Sequence, residues 1–240
     1  MTISNNTFTG DDTPDGSIWG PAVVDVTVTN NVFTGSDLVS YGVQFSGIAG
    51  TSVINGNTIT DYKGAGAIVI LSGTGVSGLT INGNSISGCA NGIRFYDDSG
   101  TGDITTVTVT ENTLTDNAKA IRISNGAHIV ASDFVIENNN ISGSTSYGLQ
   151  NEHTTLSVTA ENNWWDDASG PTHSSNPLGT GDAVSDNVDF MPWLDAAYPT
   201  GQPVGLVMNV TQSTAHATIQ EAINAAIAGD TIVAKDATYT

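Results

Sequence analysis

The stretch VTVTENTL, residues 107–114, carries the pattern on which the rest of this 240-residue chain is built. Apolar residues alternate with polar ones, an Asn follows, and a further apolar residue stands two places after the Asn. The pattern recurs at steps of 25, 26, 27, 28, 27 and 24 residues. Its asparagines are Asn6, Asn31, Asn57, Asn84, Asn112, Asn139 and Asn163. Regular recurrence at such a period is typical of a solenoid, in which each repeat forms one turn of a stack.

Each repeat contains three short segments with the periodicity of a β-strand. One leads into the Asn, one follows it, and one begins at a Gly or Ala, as in residues 92–95 and 120–123. Alternate residues of a strand point to opposite sides, so the apolar positions form columns inside a coil. The sequence therefore predicts an all-β solenoid of about seven turns with parallel pairing between turns, roughly 34 Å long at the usual strand spacing.

The recurring Asn has a structural explanation. Its side chain can hydrogen bond to nearby backbone, and amides stacked from turn to turn can bond one another. Asn also tolerates the left-handed backbone conformation, which we expect it to adopt at the corner between two strands. We interpret the column as a structural ladder, with ligand binding as the alternative.

A leucine-rich repeat is the main alternative architecture, because its consensus superficially matches VTVTENTL. That family places Leu at most core positions, whereas this chain places Val, Ile and Phe there. The third alternating segment also stands where a leucine-rich repeat has a helix or a loop. β-Branched residues, with Gly at the corners, favour strands throughout.

The stretch ENNWWDDASGPTHSSNPLGTGDAVSDNVDFMPWL, residues 161–194, breaks the repeat. It is similar to the closing segment of many bacterial and archaeal secreted β-helix proteins, with Asp166 where Gly is usual. The first 200 residues resemble a right-handed parallel β-helix of the pectate-lyase-like superfamily. The bulky side chains of Trp164, Trp165 and Trp193 would cover the end of the stack. A carbohydrate platform is the alternative role for these tryptophans.

The last part of the chain reads as a separate unit. We expect the β-helix to span residues 1–198, and Pro and Gly predict a linker over residues 199–205. In residues 206–240, Thr218 and Glu221 form a capping-box motif ahead of apolar residues at helical spacing. This segment resembles the opening cap of a following β-helix. The apolar side of its helix is formed by Ile219, Ile223 and Ile227.

The repeats and closing segment thus come first and an opening cap comes last. Two explanations are open. The chain is a slice of a longer protein with tandem β-helices, or its cap helix covers the first turn of another copy. The second explanation predicts head-to-tail self-association, which can propagate into a filament.

Composition excludes some classes of partner. Only 5 Lys and Arg stand against 24 Asp and Glu, giving a net charge of −19. We therefore expect no binding to nucleic acid, and we expect no membrane insertion because no apolar run is long enough. The single cysteine, Cys89, excludes an internal disulfide framework. The resemblance to secreted proteins implies an extracellular or cell-surface location, although residues 1–10 contain no signal peptide.

The third segments place Arg94 and Arg122 at equivalent outward positions of adjacent turns, in a column with Gln44, Val69 and Gln150. Carboxylates and imidazoles follow these two arginines in the sequence. The candidate ligand-binding residues are Arg94, Tyr96, Asp97, Asp98, Arg122, Glu152 and His153. Three interpretations are open: a surface ion-pair ladder, contacts to a polysaccharide, and catalysis. The companion motifs of polygalacturonases are absent, so no catalytic residue is assigned.

The loop GDDTPDG offers carboxylate oxygens from Asp11, Asp12 and Asp15 as candidate ligands for Ca²⁺. Its spacing is not that of an EF-hand, and solvated turn residues are the alternative. No other cofactor is predicted.

Two functions follow. One is a non-catalytic extracellular or cell-surface repeat module with a structural or adhesive role. The other is a module that binds or cleaves a polysaccharide, which as an enzyme would be a lyase or a glycoside hydrolase. Fold alone does not decide between them.

Overall fold

A computed structural model describes residues 1–10, 16–37, 41–204, 207–212, 214–216 and 218–234. Over most of this length the chain winds into a parallel β-solenoid of about seven turns. The first six turns each contribute one strand to each of three sheets, as the alternating segments predict. The all-β fold class is confirmed.

The strands of the first turns, in chain order, are β1 (Thr2–Ser4), β2 (Thr7–Thr9), β3 (Ile18–Val24), β4 (Thr27–Thr29), β5 (Val32–Thr34), β6 (Tyr41–Ala49), β7 (Ser52–Asn55), β8 (Thr58–Thr60) and β9 (Gly66–Val76). Those of the following turns are β10 (Leu79–Asn82), β11 (Ser85–Ser87), β12 (Asn91–Tyr96), β13 (Gly102–Ile104), β14 (Val107–Thr110), β15 (Thr113–Thr115), β16 (Lys119–Ile123), β17 (Phe134–Glu137), β18 (Asn140–Ser142) and β19 (Tyr147–Asn151). A 3₁₀ helix, Ala131–Asp133, precedes β17. The remaining elements are β20 (Val158–Thr159), β21 (Val188–Asp189), β22 (Trp193–Leu194), β23 (Pro203–Val204), β24 (Val207–Asn209), β25 (Thr214–His216), α1 (Ile219–Ala225) and β26 (Ile232–Ala234).

The three sheets run along the solenoid. Sheet A has the order β1-β4-β7-β10-β14-β17-β20-β21, sheet B the order β18-β15-β11-β8-β5-β2, and sheet C the order β19-β16-β12-β9-β6-β3. Pairing is parallel and brings equivalent residues together, as Ile81 with Val109 in sheet A. Because each turn lies in register with the next, a residue's position within its repeat decides which neighbours it has.

The core consists of the predicted apolar columns. Ile81, Val109 and Ile136 of sheet A and Ile86 and Leu114 of sheet B are fully buried. Aromatic rings stack in the same way where they occur on consecutive turns, as Phe8 and Phe33 do with a ring-centroid distance of 4.7 Å. Burial of such columns supplies most of the free energy that holds a solenoid together.

The asparagine column forms a hydrogen-bonded ladder inside the coil. The backbone N–H of Asn84 donates to the Oδ1 of Asn112, and that of Asn112 donates to the Oδ1 of Asn139, both at 3.0 Å. The Nδ2 of Asn112 also donates to the carbonyl oxygens of Ile81 and Thr110. Equivalent bonds between turns link all seven members, from Asn6 to Asn163.

The backbone at this corner differs from our expectation. The left-handed residue is the one before each ladder Asn: Glu111 has φ 58° and Asn138 has φ 58°. A left-handed residue there turns the chain, so that the following amide points inward and reaches the next turn. Gly56 and Gly83, with φ 63° and 62°, occupy the same corner in other repeats, where a side chain would be strained.

The closing segment covers the end of the stack. Its strand β21 extends sheet A beyond β20, and Trp165 and Trp193 are buried. The Trp193 indole donates to the carbonyl of Ala168 at 3.0 Å. Gly170 must be glycine, because a Cβ there would lie 2.5 Å from the Trp193 ring. Asp166 has a left-handed backbone conformation, with φ 73°.

The chain after the closing segment forms a small sheet of its own. Strands β25, β24 and β26 pair antiparallel in that order. Helix α1 begins at the predicted capping box, in which Glu221 N donates to Thr218 Oγ1. It ends at Ala225, earlier than the apolar spacing suggests, because Ile227 N donates to the Asp230 carboxylate instead of continuing the helical pattern. Part of the predicted linker, Pro203–Val204, pairs with Trp193–Leu194.

Candidate ligand-binding face

The outward face of sheet C brings together two columns of polar side chains. Arg94 lies directly beside Arg122, and Arg122 beside Gln150, on three consecutive turns. Two residues further along the chain, at the end of β12 and just past the ends of β16 and β19, a second column follows. Backbone hydrogen bonds from Ser124 to Phe95 and from Glu152 to Ile123 continue the register into it. We call these six residues the polar grid: Arg94, Tyr96, Arg122, Ser124, Gln150 and Glu152.

Positive charge is concentrated at the polar grid. Of the four Lys and Arg residues that the structure describes, Arg94, Arg122 and the neighbouring Lys119 lie here, and only Lys63 lies elsewhere. Partial burial, reinforced by the charge of Arg122, lowers the pKa of both Arg94 and Lys119. The three charges are close enough to influence one another, so an anion bound here would be favoured.

One carboxylate of the polar grid forms an ion pair with these basic residues. Glu152 Oε1 accepts a hydrogen bond from Arg122 Nε at 2.8 Å, and both side chains are 25% exposed. Arg94 instead places its guanidinium over the ring of Tyr96, 4.4 Å from the centroid. A stacked guanidinium keeps its N–H groups free at the edge of the ring, where they can bind an anion.

Three buried polar atoms of the grid have no hydrogen-bond partner: Arg94 Nε, Ser124 Oγ and Gln150 Oε1. Ser124 as a whole is only 3% exposed. An unpaired buried donor or acceptor costs about 1–3 kcal/mol, and native proteins contain few. All three atoms are closed to solvent, so a ligand would reach them only if neighbouring side chains moved.

Asp97 and Asp98 turn away from the arginines. Asp98 Oδ1 accepts from Gly73 N at 2.9 Å and from Ser72 Oγ at 2.8 Å. Asp97 accepts from Ser99 N at 2.9 Å and from His128 N at 3.2 Å. Although partial burial opposes ionisation, these hydrogen bonds hold the pKa of both carboxyls below the usual value. The two carboxylates therefore connect loops of successive turns and do not face the polar grid.

His153 lies inside the turn, beyond the grid. It is 6% exposed, its N–H donates to Asn151 Oδ1 at 3.1 Å, and its carbonyl accepts from Asn187. Its Nε2 is buried without a partner, and burial lowers its pKa. The residue joins the last full turn to the closing segment.

Of the seven predicted ligand-binding residues, the structure thus brings together Arg94, Tyr96, Arg122 and Glu152. Sequence reasoning missed Lys119 and Ser124. The signal for Ser124 was present, since it stands two residues after Arg122 as Tyr96 stands two after Arg94. Only the structure shows that its hydroxyl is buried and has no hydrogen-bond partner.

The arrangement can bind, but it does not offer the pair of carboxylates that polysaccharide hydrolysis needs. A hydrolase holds an acid and a base across the scissile bond. Here Glu152 is the one carboxylate in the grid, and it is bound to Arg122.

The proposed calcium ligands Asp11, Asp12 and Asp15 lie outside the described residues. Within the residues that are described, no three His, Cys, Asp or Glu side chains gather closely enough to hold a metal ion. No helix in that part of the chain has the length and apolarity needed to span a bilayer.

The predicted end-cap residues divide into two groups. Trp165 and Trp193 are 0% and 1% exposed, so their ring faces are not available as a carbohydrate platform, and Trp164 is partly buried. On helix α1 and just beyond it, Ile219, Ile223 and Ile227 are 36%, 55% and 68% exposed.

Comparison with known proteins identifies the repeat. The family model described as right handed beta helix region matches residues 1–134. No curated protein and no solved structure matches the chain.

Proposed function

The chain belongs to the family of right-handed β-helix regions, and from this premise we propose that it is a non-catalytic module that binds an acidic polysaccharide across the polar grid. The coarse assignment, a β-helix repeat protein, follows from the family and the fold. The ligand and the absence of catalysis are the proposal.

The observation that carries the proposal is the grouping of positive charge in an acidic chain. Arg94 and Arg122 lie side by side, with Lys119 near enough for its charge to interact with both, in a chain of net charge −19. A sugar acid supplies a carboxylate for the cations, and hydroxyls that can both donate and accept. Tyr96, 39% exposed, offers an aromatic surface for a sugar ring.

The environment of the acidic residues supports a binding role over a catalytic one. Asp97 and Asp98 serve as hydrogen-bond acceptors for loops, and Glu152 is paired. A general acid near neutral pH needs a raised pKa, whereas the hydrogen bonds lower the pKa of Asp97 and Asp98.

The module would act outside the cell or on its surface, as the resemblance of residues 161–194 to secreted proteins implies. There it would hold a glycan in a structural or adhesive role. Antibody labelling of intact cells that produce the protein tests this location, and staining only after permeabilisation would contradict it.

Retention of the chain on a panel of acidic polysaccharides tests the binding proposal. We expect Arg94→Ala and Arg122→Ala each to reduce affinity about tenfold, because each removes a cation or its support. Lys63→Ala is the matched control: it removes a basic residue that pairs with Asp61 away from the grid, and it should leave retention unchanged. Equal retention of all three variants contradicts the proposal, and release of reducing ends or unsaturated sugars contradicts the absence of catalysis.

A further inference from the structure

The two arginines of the polar grid are not equivalent. Arg122 is neutralised by Glu152 at 2.8 Å, whereas no carboxylate of the described residues forms an ion pair with Arg94. The contact of Arg94 is an aromatic ring, and its buried Nε has no partner. The grid therefore holds one occupied and one unoccupied position for a carboxylate, on adjacent turns.

We propose that Glu152 acts as a built-in substitute for a ligand carboxylate and thereby restricts the grid to glycans whose acidic groups are widely spaced. This inference rests on the proposed function and goes beyond it, since it names the charge pattern of the ligand and the residue that selects it. The ligand's carboxylate binds at Arg94, and the neighbouring sugar is neutral.

Electrostatics at the second position supports this selection. Adjacent turns are about 4.8 Å apart, so a second ligand carboxylate beside Arg122 would lie close to the Glu152 carboxylate. Two like charges at such a distance repel, most strongly where both are partly shielded from water. The net charge of −19 adds a long-range repulsion that grows with the charge density of the polymer.

Two polymers provide the test: hyaluronate, with a carboxylate on every second sugar, and polygalacturonate, with one on every sugar. We expect the natural chain to bind hyaluronate about tenfold more tightly, at equal ionic strength. Glu152→Gln leaves the charge of Arg122 without a partner. It should therefore raise the affinity for polygalacturonate about fivefold and reduce the preference for hyaluronate. Glu152→Ala, which cannot hydrogen bond to Arg122, should shift affinity in the same direction.

Asp61→Asn is the matched control, because it changes the net charge equally and breaks an ion pair with Lys63 at another corner of the coil. It should leave the preference unchanged. Binding to polygalacturonate as tight as to hyaluronate, or an equal gain for Asp61→Asn and Glu152→Gln, overturns the selection while leaving the proposed function intact. Failure to bind either polymer overturns both. A thermal melt of each variant shows that the fold is retained.

Discussion

At the residue scale, the buried asparagine ladder is where a single side chain matters most. Asn112 is fully buried, donates to two backbone carbonyls, and accepts from Asn84 on the previous turn. Its loss would leave several polar groups of two turns without partners in a place water cannot reach. Each such group costs free energy that no packing recovers.

We therefore expect Asn112→Ala to lower the free energy of unfolding by about 3 kcal/mol. Asn6→Ala is the internal control, since Asn6 is exposed at the end of the same ladder and should cost less than about 1 kcal/mol. Urea denaturation monitored by circular dichroism measures both. Equal costs would mean that the ladder's burial contributes little to stability.

His153 makes stability depend on pH. Because burial holds the pKa of folded His153 below the ordinary histidine value of 6.5, the unfolded chain binds a proton first as pH falls. The stabilising contribution of His153 is thus complete above pH 6.5. It is lost as the pH falls from 6.5 to the lowered pKa. We expect His153→Gln to remove this decline, as seen in melting temperatures measured from pH 7.5 to 4.5.

His128 gives a control of opposite sign. A hydrogen bond to Asp103 at 2.9 Å raises its folded pKa, so its contribution is present at low pH and is lost as pH rises through that pKa. His128→Gln should therefore lower the melting temperature at acidic pH more than at neutral pH. If both variants showed the same dependence of melting temperature on pH, the opposite pKa shifts of His153 and His128 would be refuted.

At the scale of elements, helix α1 is short and presents apolar side chains to solvent. Ala222 is its one buried residue, whereas Ile223 is 55% exposed and Ile227, just beyond its end, is 68% exposed. A marginal helix with an exposed apolar side gains stability from packing against a partner. Together with the resemblance to an opening cap, this exposure motivates the proposal of head-to-tail association.

We expect sedimentation velocity to show association that increases with protein concentration. Ile223→Ser combined with Ile227→Ser should weaken it about tenfold or more, because the change removes two apolar side chains from the contact. Asn224→Ser, on the same helix, is the control and should leave the association unchanged. A monomer at every concentration for the unaltered chain contradicts the association.

At the scale of the whole molecule, net charge opposes the compact state. The charge of −19 on 240 residues produces self-repulsion that salt screens. The screening length falls from about 30 Å at 0.01 M to about 8 Å at 0.15 M ionic strength. The melting temperature should therefore rise as NaCl is added over this range.

Calcium chloride at the same ionic strength tests the loop aspartates. Because the spacing of Asp11, Asp12 and Asp15 is not that of an EF-hand, we expect the same rise as with NaCl. An additional rise with calcium that a chelator reverses would instead support a cation site. Asp11→Asn combined with Asp12→Asn would then abolish the extra stabilisation.

Much of the candidate site could be predicted from repeat spacing. The step of 28 residues between Asn84 and Asn112 is also the step between Arg94 and Arg122, so the two arginines had to be neighbours. Parallel strands in register preserve this relation from turn to turn. The direction of Asp97 and Asp98 could not be predicted, because it depends on loop conformation around Ser72 and Gly73.

The sequence by itself determined the solenoid, its direction of stacking, the ladder and the columns, because in-register pairing converts a linear period into spatial adjacency. Only the tertiary structure decided which partner each polar group took. Glu152 accepts a hydrogen bond from Arg122, and Asp98 accepts one from a loop of the previous turn. The Ser124 hydroxyl is buried without a hydrogen-bond partner. These outcomes depend on side-chain contacts between turns whose loops differ in length, and such contacts are set by packing in three dimensions and not by the period.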